Sequence, residues 1–202
     1  MIKFKIKEFR NILTTYIYVA DVYKNYKNYE KSLDYLQKAI KYSNMIKDRR
    51  GVLNSYSHMV DLYIELKNYE RALYYLKKSS SITKEIGDLE LLGNELASFG
   101  IIFWKLKRVD DALKYLNKAV NIRHQNNDLY NLSYSVSYIA DIYESIQNYD
   151  SAIYYLKEFK YIANKIKNRD YQEEAYIRIA KNYLLKNQIK ISESYFKKAI
   201  DI

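Results

Sequence analysis

Apolar and polar positions along this chain recur with one fixed period. The segments YEKSLDYLQKAI from Tyr29, YERALYYLKKSS from Tyr69, VDDALKYLNKAV from Val109, YDSAIYYLKEFK from Tyr149 and IKISESYFKKAI from Ile189 align, each starting 40 residues after the last. A second set precedes them at constant offset: YIYVADVYKNYKN, YSHMVDLYIELKN, LASFGIIFWKLKR, VSYIADIYESIQN and YIRIAKNYLLKNQ. Such self-similarity marks a repeat architecture, in which neighbouring units together bury a continuous core. The unit is two helices, and the pattern predicts helices over 6–26, 29–46, 49–66, 69–86, 89–106, 109–126, 129–146, 149–166, 169–186 and 189–201. Short side-chain acceptors stand where backbone N–H groups need partners: Asp48, Asp88, Asp128 and Asn168 before each new first helix, and Asn28, Asn68 and Asn148 before second helices. Arg108 and Gln188 at the equivalent positions are poorer caps.

Column by column, the chain resembles the tetratricopeptide repeat family. The family's small residue in the first helix falls at Ala20, Val60, Gly100, Ala140 and Ala180, and its aromatic three columns later at Tyr23, Tyr63, Phe103, Tyr143 and Tyr183. In the second helix the small residue falls at Ser32, Ala72, Ala112, Ala152 and Ser192, followed by Tyr35, Tyr75, Tyr115, Tyr155 and Tyr195. The next small column reads Ala39, Ser79, Ala119, Phe159 and Ala199, so Phe159 departs from it, as do Lys160 and Glu193 from theirs. The common repeat has about 34 residues, and the 40 here, without proline, resemble the family's long-repeat subgroup. The resemblance implies an all-α fold, a right-handed superhelical solenoid of five antiparallel helix hairpins. It implies a single repeat domain over 1–202, with repeats near 8–47, 48–87, 88–127, 128–167 and 168–202.

Composition narrows the function classes. With 49% hydrophobic residues over 202 there is enough apolar material for a core, and no proline and only four glycines interrupt the helices. Cysteine is absent, which removes disulfides, thiolate metal sites and thiol nucleophiles. The start MIKFKIKEFR is charged throughout, unlike a signal peptide, and no apolar run approaches the roughly 18 residues of a membrane span, so a soluble, cytoplasmic protein is expected. The two histidines, His58 and His124, fall in different repeats, and there is no glycine-rich phosphate loop. No catalytic residues, metal or cofactor are therefore expected.

Function is then sought on the ligand-facing columns that the family resemblance implies for the first helices. The most telling reads Asp21, Asp61, Ile101, Asp141 and Lys181. One turn earlier lie Ile17, Ser57, Ala97, Ser137 and Ile177, beside Tyr18, His58, Ser98, Tyr138 and Arg178. One turn later come Lys24, Ile64, Trp104, Glu144 and Leu184, and the outer row is Thr14, Asn54, Asn94, Tyr134 and Glu174. These rows predict a groove that is apolar around Ala97, Ile101 and Trp104 and flanked by Asp61 and Asp141. The expected partner is a protein or extended peptide of basic and hydrophobic character, with an apolar side chain against Trp104 and the aspartates accepting its N–H groups or ammonium. Chaperone-binding members of the family grip a C-terminal carboxylate with lysine, arginine and asparagine. Aspartate at those columns argues against a carboxylate ligand. His58 is the groove residue whose charge can change between pH 5 and 8.

Net charge adds one alternative. Thirty-four Lys and Arg against 24 Asp and Glu leave +10, which meets a first criterion for nucleic-acid binding. The lysines sit largely on second helices, interspersed with acids and without a block of like charge, so a solvated outer face is the expectation. The 25 tyrosines fall mostly in core columns. Because the fifth hairpin is followed by no polar capping helix, either the chain is a piece of a longer protein or that end is covered by a second copy, self-association being the other alternative to peptide binding.

Overall fold

The structure, a computed structural model, describes residues 2–202, with side chains from residue 11 onward. The side chains of the opening segment, on which the signal-peptide reading turned, lie outside the described residues. Ten helices pair as consecutive hairpins among the described residues: α1 (Ile2–Asn25) with α2 (Tyr29–Met45), α3 (Arg49–Glu65) with α4 (Tyr69–Ile86), α5 (Leu89–Lys105) with α6 (Val109–Gln125), α7 (Leu129–Ser145) with α8 (Tyr149–Lys165), and α9 (Arg169–Leu185) with α10 (Ile189–Ile200). The fold is all-helical, and the boundaries follow the predicted ones to within a residue, apart from an earlier start of α1. The chain forms two compact units, one up to Asp88 containing α1 to α4 and one over Leu89–Ile202 containing α5 to α10. Within each unit every helix packs on the next. The first helices also adjoin across hairpins, α1 touching α3 and α5 touching α7.

The helices start where the sequence supplies acceptors. Asn28, Asp48, Asn68, Asp128, Asn148 and Asn168 each accept from the backbone N–H three residues on, at 3.0–3.2 Å. Arg108 and Gln188 make no such bond. Helix ends follow an equally regular rule. Every interhelical turn holds one residue at left-handed φ: Lys27, Lys47, Lys67, Gly87, Lys107, Asn127, Gln147, Lys167 and Asn187, with φ from 54° to 69°. A non-glycine side chain there costs about 1 kcal/mol. The turn recovers it in hydrogen bonds to otherwise orphaned helix carbonyls, as where Lys67 N donates to Ile64 O at 2.9 Å and Asn68 N to Tyr63 O at 2.8 Å.

Each hairpin is held by the same two contacts. The aromatic of the first helix lies against the tyrosine of the second: Tyr23 on Tyr35 at 5.6 Å between centroids, Tyr63 on Tyr75 at 5.5 Å, Phe103 on Tyr115 at 5.3 Å, Tyr143 on Tyr155 at 5.6 Å and Tyr183 on Tyr195 at 5.5 Å. Beside this pair the small columns let the backbones approach. At Gly100 a Cβ would stand 2.6 Å from Leu116 Cγ and 3.1 Å from the Ala112 carbonyl oxygen, so even alanine is crowded there. Ala20, Ala140 and Ala180 occupy the same column fully buried.

Between hairpins the core is aliphatic. In the first unit Ala20, Leu36, Met59 and Leu62 cluster, and Leu13 and Ile17 pack with Ala39. In the second, Leu116, Leu132, Val136, Ile139, Ile142 and Ile162 form one cluster with Phe159, which is only 2% exposed. The large residue in a small-residue column is accommodated by turning it into the space beneath α9, where it meets the Tyr171 ring at 5.5 Å. Placing leucine at Gly100 should destabilise the chain by about 2 kcal/mol through overpacking. Urea titration followed by helical circular dichroism checks this; an unchanged midpoint would contradict the close crossing of α5 and α6.

A candidate interaction surface on the first helices

In the first unit the helical repeat of three and four residues sets Tyr18 with Asp21 on α1, and Asn54, Ser57, His58 and Asp61 along one face of α3. The two helices meet through a polar contact. His58 Nδ1 lies 3.0 Å from Asp21 Oδ1, and Lys24 Nζ is 3.5 Å from the same oxygen. Asp61 joins this group electrostatically: burial pushes its carboxyl above the usual carboxylate range, His58 and Lys24 pull it back, and Asp21 pushes it further up. The residue is nevertheless exposed at the surface, so water screens much of that shift. Tyr18 is 67% exposed, and Asn54 and Ser57 are open to solvent.

In the second unit α5 contributes Asn94, Ala97, Ile101 and Trp104. The Trp104 ring meets Tyr138 of α7 edge-on at 6.2 Å, with the Lys105 ammonium 4.9 Å from its centroid. Ile101 is half-buried, and Ala97 is only 7% exposed and belongs to the core. Asn94 is exposed but spoken for, its Oδ1 accepting from Arg123 Nη2 at 2.8 Å. That arginine is 4% exposed and also donates to the Asn131 carbonyl at 2.8 Å and to Ser135 Oγ. Burial pushes the Arg123 pKa down, against the pull of Asp128.

Ser137, Asp141 and Glu144 on α7 converge on Arg178 of α9. The guanidinium donates to Ser137 Oγ at 2.8 Å, to Glu144 Oε2 at 2.8 Å, to Glu174 Oε1 at 3.3 Å and to Asp141 Oδ1. Asn182 Nδ2 holds the other Glu144 oxygen at 2.6 Å. Burial works against the Arg178 charge, but its carboxylates outweigh that and hold its pKa above the ordinary value. Asp141 moves the opposite way from a satisfied acid. Burial raises its carboxyl pKa, and Glu144 and Glu174 add to the rise while Arg178 opposes it. The two signs agree physically, because one cation collects the attraction of three carboxylates while each carboxylate shares it with two like charges.

These pairings share a register. His58 reaches Asp21 and Arg178 reaches Asp141 across the same 37 residues, from one column to another of the preceding repeat. The sequence reading placed all four, and Lys24, on ligand-facing columns but missed that Arg178 clamps Asp141 and Glu144, and that Arg123 and Asn182 take part. The signal was the cation at Arg178 in a column that otherwise reads Tyr18, His58, Ser98 and Tyr138. Beside the clamp, Tyr134, Ser137, Tyr138, Asp141, Phe159, Tyr171 and Glu174 line a cleft of about 220 Å³. The Tyr171 hydroxyl donates to the Tyr134 hydroxyl at 2.7 Å, and this bond, with burial, pushes its pKa up to about 12. Among the described residues no set of His, Cys, Asp and Glu side chains is arranged to hold a metal, and no helix is long and apolar enough to cross a membrane. His124 is 3.3 Å from Glu158 in the second unit, whereas His58 belongs to the first.

Residues 11–85, 51–125 and 173–202 match family models described as tetratricopeptide repeat. The chain belongs to the tetratricopeptide repeat family. No curated protein sequence matches it. Among solved structures it is similar to a signal transduction ATPase with numerous domains carrying a tetratricopeptide repeat sensor, from Pyrococcus horikoshii, with a TM-score of 0.80 and 25% identity over 92% of this chain. It spans only 28% of the length of that ATPase. A putative kinesin light chain of Podosopora anserina with nearly identical repeats superposes with a TM-score of 0.75 at 13% identity, covering 94% of this chain and 93% of the other. A Rap protein complexed with competence and sporulation factor gives 0.74 at 13% identity, covering 96% and 64%.

Replacing Arg178 with methionine leaves Asp141 and Glu144 half-buried without their cation, and should cost about 2 kcal/mol, less than for a fully buried pair because both keep some solvent. Chemical denaturation at neutral pH measures it; an unchanged stability would mean the clamp contributes nothing.

Proposed function

We propose that this chain is a non-enzymatic scaffold that binds proteins or extended peptides on the faces of its first helices, α1 and α3 in one unit and α5, α7 and α9 in the other. The observation that carries this reading is the ladder of side-chain contacts between successive first helices. Asp21 with His58, Trp104 with Tyr138 and Asp141 with Arg178 fix polar and aromatic groups in place beside exposed Tyr18, Asn54, Asp61 and Tyr134. A surface of rigid aromatics and prepositioned hydrogen-bonding groups binds with little loss of side-chain freedom.

Excess carboxylate along these faces favours basic partners, and Trp104 favours an apolar side chain next to the charge. The likeness to a Rap protein complexed with competence and sporulation factor accords with such a role. Ala97 supports the surface from the core and is not offered as a contact. Self-association is the second reading. It is favoured by Leu184, Leu185, Ile189, Ile191 and Ile200, all exposed on the hairpin of α9 and α10.

Peptides selected by display against the full chain test the proposal. Those seated on the second unit should lose roughly tenfold or more in affinity with Trp104→Ala, and those on the first unit with Asp61→Ala. Selected peptides indifferent to both variants would overturn it. Light scattering on the same samples reports any second copy.

A further inference from the structure

We infer that the cleft between α7, α8 and α9 is a subsite for one arginine side chain of a bound partner. This rests on the peptide-binding reading of the second unit and names what that unit would recognise. Its walls are aromatic: Tyr134 and Tyr171 meet edge-on at 6.0 Å, Phe159 packs against Tyr171, and Tyr138 also lines the space. Two carboxylates, Asp141 and Glu174, line the same space. At about 220 Å³ it is smaller than the ~300–1,000 Å³ of small-molecule sites, so it suits a single side chain.

Charge decides the sign of the occupant. Asp141, Glu144 and Glu174 supply three negative charges against the one positive charge of Arg178, leaving two uncompensated on a chain whose net charge is +10. Arg178 engages one oxygen of Asp141 and one of Glu174. A carboxylate accepts about four hydrogen bonds, so both retain capacity toward the cleft. Asp141 is 33% exposed and Glu174 46%, within reach of an entering group.

Shape then selects among cations. A guanidinium is planar, stacks on aromatic faces and offers paired donors to carboxylates, whereas an ammonium is a compact and strongly hydrated point charge. Arg178 already shows one guanidinium bridging these two acids, Nη1 donating to Glu174 and Nη2 to Asp141. The tyrosine walls and two acids match a second guanidinium entering from solvent.

The probe is N-acetyl-arginine amide, titrated into the full chain and followed by the ring resonances of ¹³C-labelled tyrosine, with the citrulline and lysine analogues as controls. Saturable shifts of Tyr134, Tyr138 and Tyr171 are expected. The neutral citrulline analogue should bind at least roughly tenfold more weakly, and Glu174→Gln should weaken arginine binding roughly fivefold while leaving the helical circular dichroism unchanged. Equal responses to arginine and citrulline, no effect of Glu174→Gln, or no saturation would overturn the subsite. A lysine analogue binding as tightly as arginine would overturn the guanidinium assignment. Display-selected peptides that still depend on Trp104 after a negative result would leave the scaffold reading standing; arginine binding without any such peptide would do the reverse.

Discussion

One aromatic contact repeated in every hairpin governs this structure. The first-helix ring at Tyr23, Tyr63, Phe103, Tyr143 or Tyr183 lies 5.3–5.6 Å from the second-helix tyrosine twelve residues on, next to a small residue that lets the backbones close. Two large flat side chains in contact fix both the separation and the rotation of a helix pair, and such pairs contribute about 0.5–1.5 kcal/mol beyond the area they bury. Once each hairpin has the same internal geometry, the same columns of the next hairpin meet it in the same way. The 37-residue pairings of Asp21 with His58 and Asp141 with Arg178 are a consequence of that constancy.

The surface follows from the register. With the rings and small residues committed to hairpin interiors, and a further apolar stripe of α3, α7 and α9 packed on the second helix before each, the remaining positions of the first helices point to their neighbours' first helices and to solvent. What differs among repeats is therefore concentrated on that face: histidine and aspartate in the first unit, tryptophan, tyrosines and an overloaded arginine in the second. The positive charge of the chain as a whole lies elsewhere, much of it on second helices whose lysines sit over tyrosine rings, as Lys38 does over Tyr35 at 4.7 Å and Lys198 over Tyr195 at 5.2 Å.

The period, the hairpins, the caps and the core columns were legible in the sequence because each depends on residues within one helical turn or one hairpin of each other. The weak caps at Arg108 and Gln188 were legible for the same reason. The charge pairing was less so. Column position says that Arg178 faces Asp141, but whether the pair is spent on each other or held for a ligand depends on side-chain reach, which no spacing encodes. Asn94 likewise reads as a free amide until Arg123 is seen to fill its oxygen. Phe159 carried a visible signal, a large ring in a column of small ones, but only the packing against Tyr171 gives it meaning as part of the lining of a cleft.

The claim that the stacked ring pair holds each hairpin is tested most directly by a double-mutant cycle on Tyr143 and Tyr155, each changed to leucine alone and together, with urea midpoints as the readout. A coupling of about 0.5–1.5 kcal/mol is expected for this pair and close to none for Tyr63 with Tyr155, which pack against separate clusters. Additive losses at Tyr143 and Tyr155 would contradict it.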